Sequence, residues 1–173
     1  MGDAAVEQLS LTMTVNGSPV TVEIDPSEPL AYTLRERLRL TGTKVSCDVQ
    51  ACGACTVLVD GLPRSACTYL AYEARDRGVT TVEGLALSED ALDPVQQAFI
   101  GESAFQCGYC TSGMLIAAHT WLATEPDADD EQLIDYMSGN LCRCTGYLSI
   151  VAAILRARET LAAEPAGPAG LRR

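Results

Sequence analysis

The sequence predicts an α+β protein: a small mixed sheet with one helix in the first half and four short helices in the second. Three observations carry this. Apolar residues alternate with period two from Leu9 and again from Val20, and the period lengthens to that of a helix beyond about residue 85. Eight cysteines in 173 residues fall into two sets of four, one in each half. The 23 acidic against 12 basic residues give a net charge of −11. That balance argues against a nucleic-acid partner, which needs clustered Lys and Arg. No apolar run approaches the length of a membrane span, and no secretory signal is visible. Eight cysteines in a chain expected to stay unsecreted point to metal ligation before disulfides.

In chain order, Leu9, Leu11, Met13 and Val15 alternate with polar residues as in a half-buried strand, and Asn16-Gly17 supplies a hairpin turn. Val20, Val22 and Ile24 alternate on the return, and Pro26 and Pro29 end it. Leu30, Leu34 and Leu38 share a helical face, with Arg35, Arg37 and Arg39 mostly outside and Gly42 as a stop. A loop of small residues then runs from Lys44 to Cys55. Thr56–Val59 reads as a strand, Asp60-Gly61 as a turn, 65–67 as the return and 79–82 as a further β run.

Asp93-Pro94 starts the first helix of the second half, Asp as cap and Pro at the first helical position. Val95, Ala98 and Phe99 form its inner face, and Met114, Leu115, Ala118, Trp121 and Leu122 form that of the next. Asp127 to Asp130 load acid onto the start of a third helix, with Leu133, Ile134 and Met137 inward. Thr145 is expected to cap a fourth, with Tyr147, Ile150, Val151, Ile154 and Leu161 inside. In an up-and-down bundle of four helices, the Cys107/Cys110 loop and the Cys142/Cys144 loop fall at one end. Both sit at helix N-termini, where free N–H groups favour thiolates.

The first cysteine set, Cys47-x4-Cys52-x2-Cys55 followed by Cys67, has the spacing of a plant-type [2Fe-2S] site. Ser46, Ala51, Gly53 and Ala54 suit it, because backbone amides must approach the sulfurs closely. The second set, Cys107-x2-Cys110 with Cys142-x-Cys144, is compatible by spacing with an iron–sulfur cluster or with structural zinc.

Residues 9–163 resemble the small iron–sulfur subunit of the molybdenum hydroxylases, the family of xanthine dehydrogenase, aldehyde oxidase and aerobic carbon monoxide dehydrogenase. The resemblance lies in Cys52-Gly53-Ala54-Cys55-Thr56-Val57 with Asp60-Gly61, in 94–99 (Pro-Val-Gln-Gln-Ala-Phe), in 105–111 (Phe-Gln-Cys-Gly-Tyr-Cys-Thr) and in 139–147 (Gly-Asn-Leu-Cys-Arg-Cys-Thr-Gly-Tyr). It implies a plant-ferredoxin-like β-grasp domain over 9–84 and a four-helix [2Fe-2S] domain over 85–164, between flexible tails at 1–8 and 165–173. Cys47, Cys52, Cys55 and Cys67 are then the ligands of one cluster. Cys107, Cys110, Cys142 and Cys144 are those of the other.

The resemblance also implies partners: a large subunit with a molybdopterin-type molybdenum cofactor and a medium subunit with FAD, assembled as a dimer of heterotrimers in the cytoplasm. Electrons from hydroxylation of a small substrate (an N-heterocycle, a purine, an aldehyde or carbon monoxide) would pass through both clusters, with no substrate chemistry on this chain. Gln106 and Cys144 are expected beside the pterin. A freestanding two-cluster ferredoxin is the alternative. In the family Gly is usual where Ser46 stands, Gly or Ser is frequent where Gln50 stands, and His is frequent where Asp93 stands. Arg143, between two ligands, is read as a potential-tuning charge or an interface residue. His119 is read as a packing or exposed residue and not a ligand, Trp121 as core or a candidate for the subunit interface, and Lys44 as a surface lysine.

Overall fold

The computed structural model describes residues 8–86, 88 and 91–163; both expected tails lie outside these except for Gln8. The first half builds a five-stranded sheet in the order β2-β1-β5-β3-β4, with β1 Leu9–Val15, β2 Ser18–Ile24, β3 Thr56–Val59, β4 Leu62–Ser65 and β5 Gly78–Thr80. Only β1 and β5 run parallel; the other neighbours are antiparallel. Both hairpins close in two residues, with Val15 opposite Ser18 and Val59 opposite Leu62. Asn16-Gly17 and Asp60-Gly61 all have positive φ, the turn that matches strand twist.

The expected helix from Leu30 is shorter than its leucine spacing suggested. One turn, α1 (Leu30–Tyr32), passes into a π-helical turn over Thr33–Arg37. Leu38 N–H bonds Thr33 O, five residues back, so Leu30 and Leu34 are fully buried while Leu38 is only half-buried.

The second half contains α2 Pro94–Gly101, α3 Thr111–Thr124, α4 Asp130–Met137 and α5 Leu148–Ala163. Asp93 caps α2 as expected, accepting from Val95 N–H at 2.8 Å, while Gln96 reaches back to Asp93 N–H. Asp129 and Gln132 repeat this box on α4. α3 was expected to show one apolar face but is buried nearly all round, from Ser112 to Ala118 and at Thr120 and Leu122. It lies between the sheet, touching β3 and β4, and the other helices. On α4, Leu133 and Met137 are buried, but Ile134 is 53% exposed and does not face inward. Among the described residues no helix is long and apolar enough to cross a membrane.

Two cores result. One gathers Leu11, Met13, Ile24, Leu30, Leu34 and Val79 under the sheet; the other gathers Phe99, Met114, Ile116, Leu133, Ile150 and Ile154 among the helices. Strand β3 belongs to both, because alternate side chains leave a strand on opposite faces. Val57 and Val59 enter the first core and Leu58 the second.

Candidate metal centres

All eight cysteines are free thiols, and the topology brings each set together. The first loop leaves the π-helical turn and folds back before β3. Asp48, Gln50 and Gly53 adopt left-handed backbone there, which turns successive N–H groups inward. Cys47 Sγ accepts from Val49 N–H at 3.5 Å and from Ala51 N–H at 3.3 Å. Those donors, with the neighbouring Cys52, hold the Cys47 thiol down to about 7. Cys67 follows β4, buried in the sheet core beside Cys55. Gln50 takes a left-handed conformation that favours glycine, and its side-chain oxygen accepts from the Thr68 hydroxyl at 2.9 Å, tying the loop to the neighbour of Cys67.

The second set comes from the loop between α2 and α3 and from the loop between α4 and α5. Cys107 and Cys144 are exposed with Sγ atoms 3.5 Å apart; Cys110 and Cys142 are half-buried neighbours. The Tyr109 N–H, then the Cys144 thiol, lower Cys107. Burial opposes ionisation of Cys142, but the Thr145 hydroxyl and the N–H groups of Thr145 and Cys144 outweigh it and leave that thiol below its ordinary value.

The thiols therefore come in twos: Cys47 with Cys52, Cys55 with Cys67, Cys107 with Cys144, and Cys110 with Cys142. Two thiolates per iron is what a binuclear cluster asks for. Among the described residues, no three His, Cys, Asp or Glu groups converge on one metal-ion position. Each set also holds a thiol unsuited to ionise unaided. Burial pushes Cys55 up to about 12, and burial with the Cys142 side chain does the same for Cys110. A bound iron offsets that penalty directly, since a coordinated thiol is deprotonated outright. The donor sets fit [2Fe-2S] clusters.

One cavity of about 630 Å³ is lined by thiols of both sets, Cys47 and Cys52 with Cys107, Cys110, Cys142 and Cys144. Three hydrogen bonds fasten the loops across it. Leu141 N–H donates to Cys52 O at 2.9 Å, Asn140 Nδ2 to Gly53 O at 3.1 Å, and the Tyr109 hydroxyl to Val45 O at 2.5 Å. At the contact, Gly113 of α3 lies so close that an added Cβ would sit 2.1 Å from Gly53 O.

Gln106 is exposed next to the outward thiol pair, flanked by Phe105, which is 43% exposed. Arg143 is exposed at the cavity wall. His119 is held by the capping residue of α2, with Nδ1 3.0 Å from Asp93 Oδ2. Trp121 stacks on Tyr136 at 4.5 Å between centroids. Lys44 donates to Thr41 O, a carbonyl it shares with Arg35. Thr145 is not the helix cap: α5 begins at Leu148, and the Thr145 hydroxyl meets Cys142 Sγ and Tyr147 N–H instead. Sequence reading passed over Asn140 and Tyr109 as fastening residues, although both stand inside the cysteine motifs.

Residues 13–88 match the 2Fe-2S iron-sulfur cluster binding domain family, and 81–155 match the [2Fe-2S] binding domain family. The chain is 44% identical to the nicotine 6-hydroxylase small subunit of Paenarthrobacter nicotinovorans, over 87% of this chain and 90% of that one. It is 40% identical to the nicotinate dehydrogenase small FeS subunit of Eubacterium barkeri, over 91% and 99%. In structure it is similar to quinoline 2-oxidoreductase from Pseudomonas putida 86, with a TM-score of 0.84 and 42% identity over 88% of this chain and 95% of that one.

Proposed function

Because this chain belongs to the family of small [2Fe-2S] iron–sulfur subunits of the molybdenum hydroxylases, we propose that it is the electron relay of a three-part enzyme. The relay joins a large subunit carrying a molybdenum–pterin cofactor to a medium subunit carrying FAD. When bound, the two [2Fe-2S] clusters supply one-electron reduction and reoxidation. The single observation that carries the reading is that three of the four thiol pairs, one from the first half and two from the second, open on one cavity, with the fourth pair buried behind the first.

In this reading Cys47 and Cys52 hold one iron of the first cluster, and Cys55 and Cys67 the other. In the second cluster Cys107 and Cys144 share an iron, as do Cys110 and Cys142. The first cluster belongs to a ferredoxin-like domain over 9–84 and the second to a helical domain over 85–164. The exposed pair Cys107 and Cys144, with Gln106 beside it, is the side that meets the molybdenum subunit; Gln106 contacts the pterin there. The buried pair Cys55 and Cys67 lies deep in the sheet, which excludes water from that side of the first cluster. Val45, Cys52 and Gly53 accept hydrogen bonds from Tyr109, Leu141 and Asn140, and those bonds fix the separation across which electrons pass. No residue of the chain acts as acid or base on substrate. The assembly we propose is a cytoplasmic dimer of heterotrimers acting on a small N-heterocycle, purine, aldehyde or carbon monoxide.

Iron and acid-labile sulfide analysis of the native complex tests the reading. About four of each per chain are expected from two [2Fe-2S] sites, with two distinguishable low-temperature paramagnetic signals on reduction. Zinc in place of iron, or a chain that purifies alone without molybdenum and flavin, would overturn it. Gln106→Ala is expected to keep the iron and weaken retention of the pterin; full retention removes Gln106 from that role.

A further inference from the structure

The Thr145 hydroxyl sits 3.2 Å from Cys142 Sγ and 3.2 Å from Tyr147 N. The direction of these bonds is fixed by what each group can do. Tyr147 N–H can only donate, so it takes a lone pair of Thr145 Oγ1. A ligating cysteine is a thiolate with no proton, so it can only accept. The one hydroxyl hydrogen is thereby directed to Cys142 Sγ. The cysteine is held in place to receive it: Cys142 N–H donates to the Tyr147 hydroxyl at 2.8 Å, and that hydroxyl lies 3.2 Å from Asn140 O, to which it donates. Cys142 is only partly exposed, so water solvates its sulfur incompletely and a donated hydrogen bond counts for more than it would at the surface.

We infer that Thr145 is a positioning and tuning residue for the second cluster, its hydroxyl donating to Cys142 Sγ and raising the reduction potential of that cluster relative to the first. Reduction adds negative charge to the cluster and its sulfurs, and a donor to a ligand sulfur stabilises the more negative state. This inference rests on Cys142 being a cluster ligand, as proposed above.

The test is a redox titration of the purified complex followed by low-temperature paramagnetic resonance, so that the two signals are read separately. The signal of the second cluster is the one that Cys110→Ala removes. Thr145→Val is expected to keep both signals and to lower the potential of the second alone. A tenfold loss in its reduced-to-oxidised ratio at fixed poise reads as a fall of about 59 mV for a one-electron couple. Thr145→Ser keeps the hydroxyl and is expected to titrate as the wild type. An unchanged potential in Thr145→Val, or an equal fall in Thr145→Ser, overturns the inference. Should Thr145→Val not retain iron, Thr145→Ala against Thr145→Ser decides in the same way, and a shifted potential in Thr145→Ser alone overturns it. Failure of the ligand assignment looks different: the wild-type complex itself would then show fewer than two signals or less than its full iron.

Discussion

The amide of Leu141 is bonded to the carbonyl of Cys52 at 2.9 Å, so the residue preceding one cysteine of the second set is tied to the main chain of a cysteine of the first. Asn140 and Tyr109 repeat the connection at Gly53 and Val45. Three donors from the helical half thus meet three carbonyls of one loop, and the two thiol loops form one hydrogen-bonded block. Relative placement of the two thiol sets therefore rests on one backbone bond and on two side-chain donors, of which Tyr109 is exposed.

Gly113→Ala is expected to loosen that block. Alanine ordinarily favours a helix over glycine by about 1 kcal/mol. Here its Cβ would lie 2.1 Å from Gly53 O and 3.1 Å from Ala54 Cα, both backbone atoms. The overpacking, about 1–3 kcal/mol or more, outweighs propensity, and urea denaturation should show a net loss. A gain in stability would refute the close contact.

Gly53→Ala should also destabilise, for two reasons: its φ is +71°, and its Cβ would lie 2.5 Å from Asn140 Nδ2. The nearest obstacle here is a side chain, with the backbone Gly139 O next at 3.0 Å, so Asn140→Ala is expected to rescue only part of the loss. The same second change should not rescue Gly113→Ala. Asn140→Ala alone should cost only about 1 kcal/mol, since Gly53 O also accepts from the Thr56 hydroxyl and N–H. A double-mutant cycle on the unfolding free energies measures all three.

Acid should weaken the sheet half through Glu28. Its carboxylate is buried, which opposes charge, but Arg37 and then Thr33 bond it and hold its pKa below the ordinary value. A group depressed on folding stabilises above its unfolded pKa of about 4.3. That contribution is lost as pH falls through the lower folded value. The difference in unfolding free energy between wild type and Glu28→Gln should therefore shrink from neutral pH toward acid. A difference that stays constant with pH would exclude the ion pair as its source.

Metal removal should sort the thiols. In the stripped chain, iodoacetamide is expected to modify Cys47 fastest, with labelling that rises through a midpoint near pH 7, because N–H donors hold that thiol at about 7. Cys107, exposed and lowered, should follow. Cys55 and Cys110, both pushed up to about 12, should resist. Peptide mass spectrometry over a pH series reads the order, and uniform labelling would mean that stripping dissolves the loops. Reconstitution with iron and sulfide should protect all eight.

Much of this arrangement was legible because it is local. Alternation at Leu9–Val15, the Asn16-Gly17 turn and the Asp93-Pro94 start are each decided within a few residues, and the structure keeps them. The short cysteine spacings are local too, and the structure sets Cys47 beside Cys52. What the sequence hid depends on how the chain is folded around each residue. The turn at Thr33–Arg37 is π-helical, with Arg37 and Thr33 both drawn to the buried Glu28, and leucine spacing alone does not reveal that. Ile134 fits an inward helical position by period, yet among the described residues it stays 53% exposed. Thr145 has the residue type of a helix cap, but the loop turns back so that the Cys142 sulfur competes for its hydroxyl. The burial of α3 on nearly all sides follows from a sheet on one side and helices on the other, which the period of a single helix cannot encode.

Strand β3 has a consequence for assembly. With Val57 and Val59 on one face and Leu58 on the other, four residues serve as a party wall for both cores. The helical core takes Leu58 from the sheet, so its maturation is expected to follow that of the half synthesised before it. A chain made without the sheet is expected to leave its helices molten and its iron unbound. Leu58→Asp should do the same to the second cluster while sparing the first: half the iron lost and one paramagnetic signal remaining. Loss of both signals together would instead mean that the wall fails as a unit.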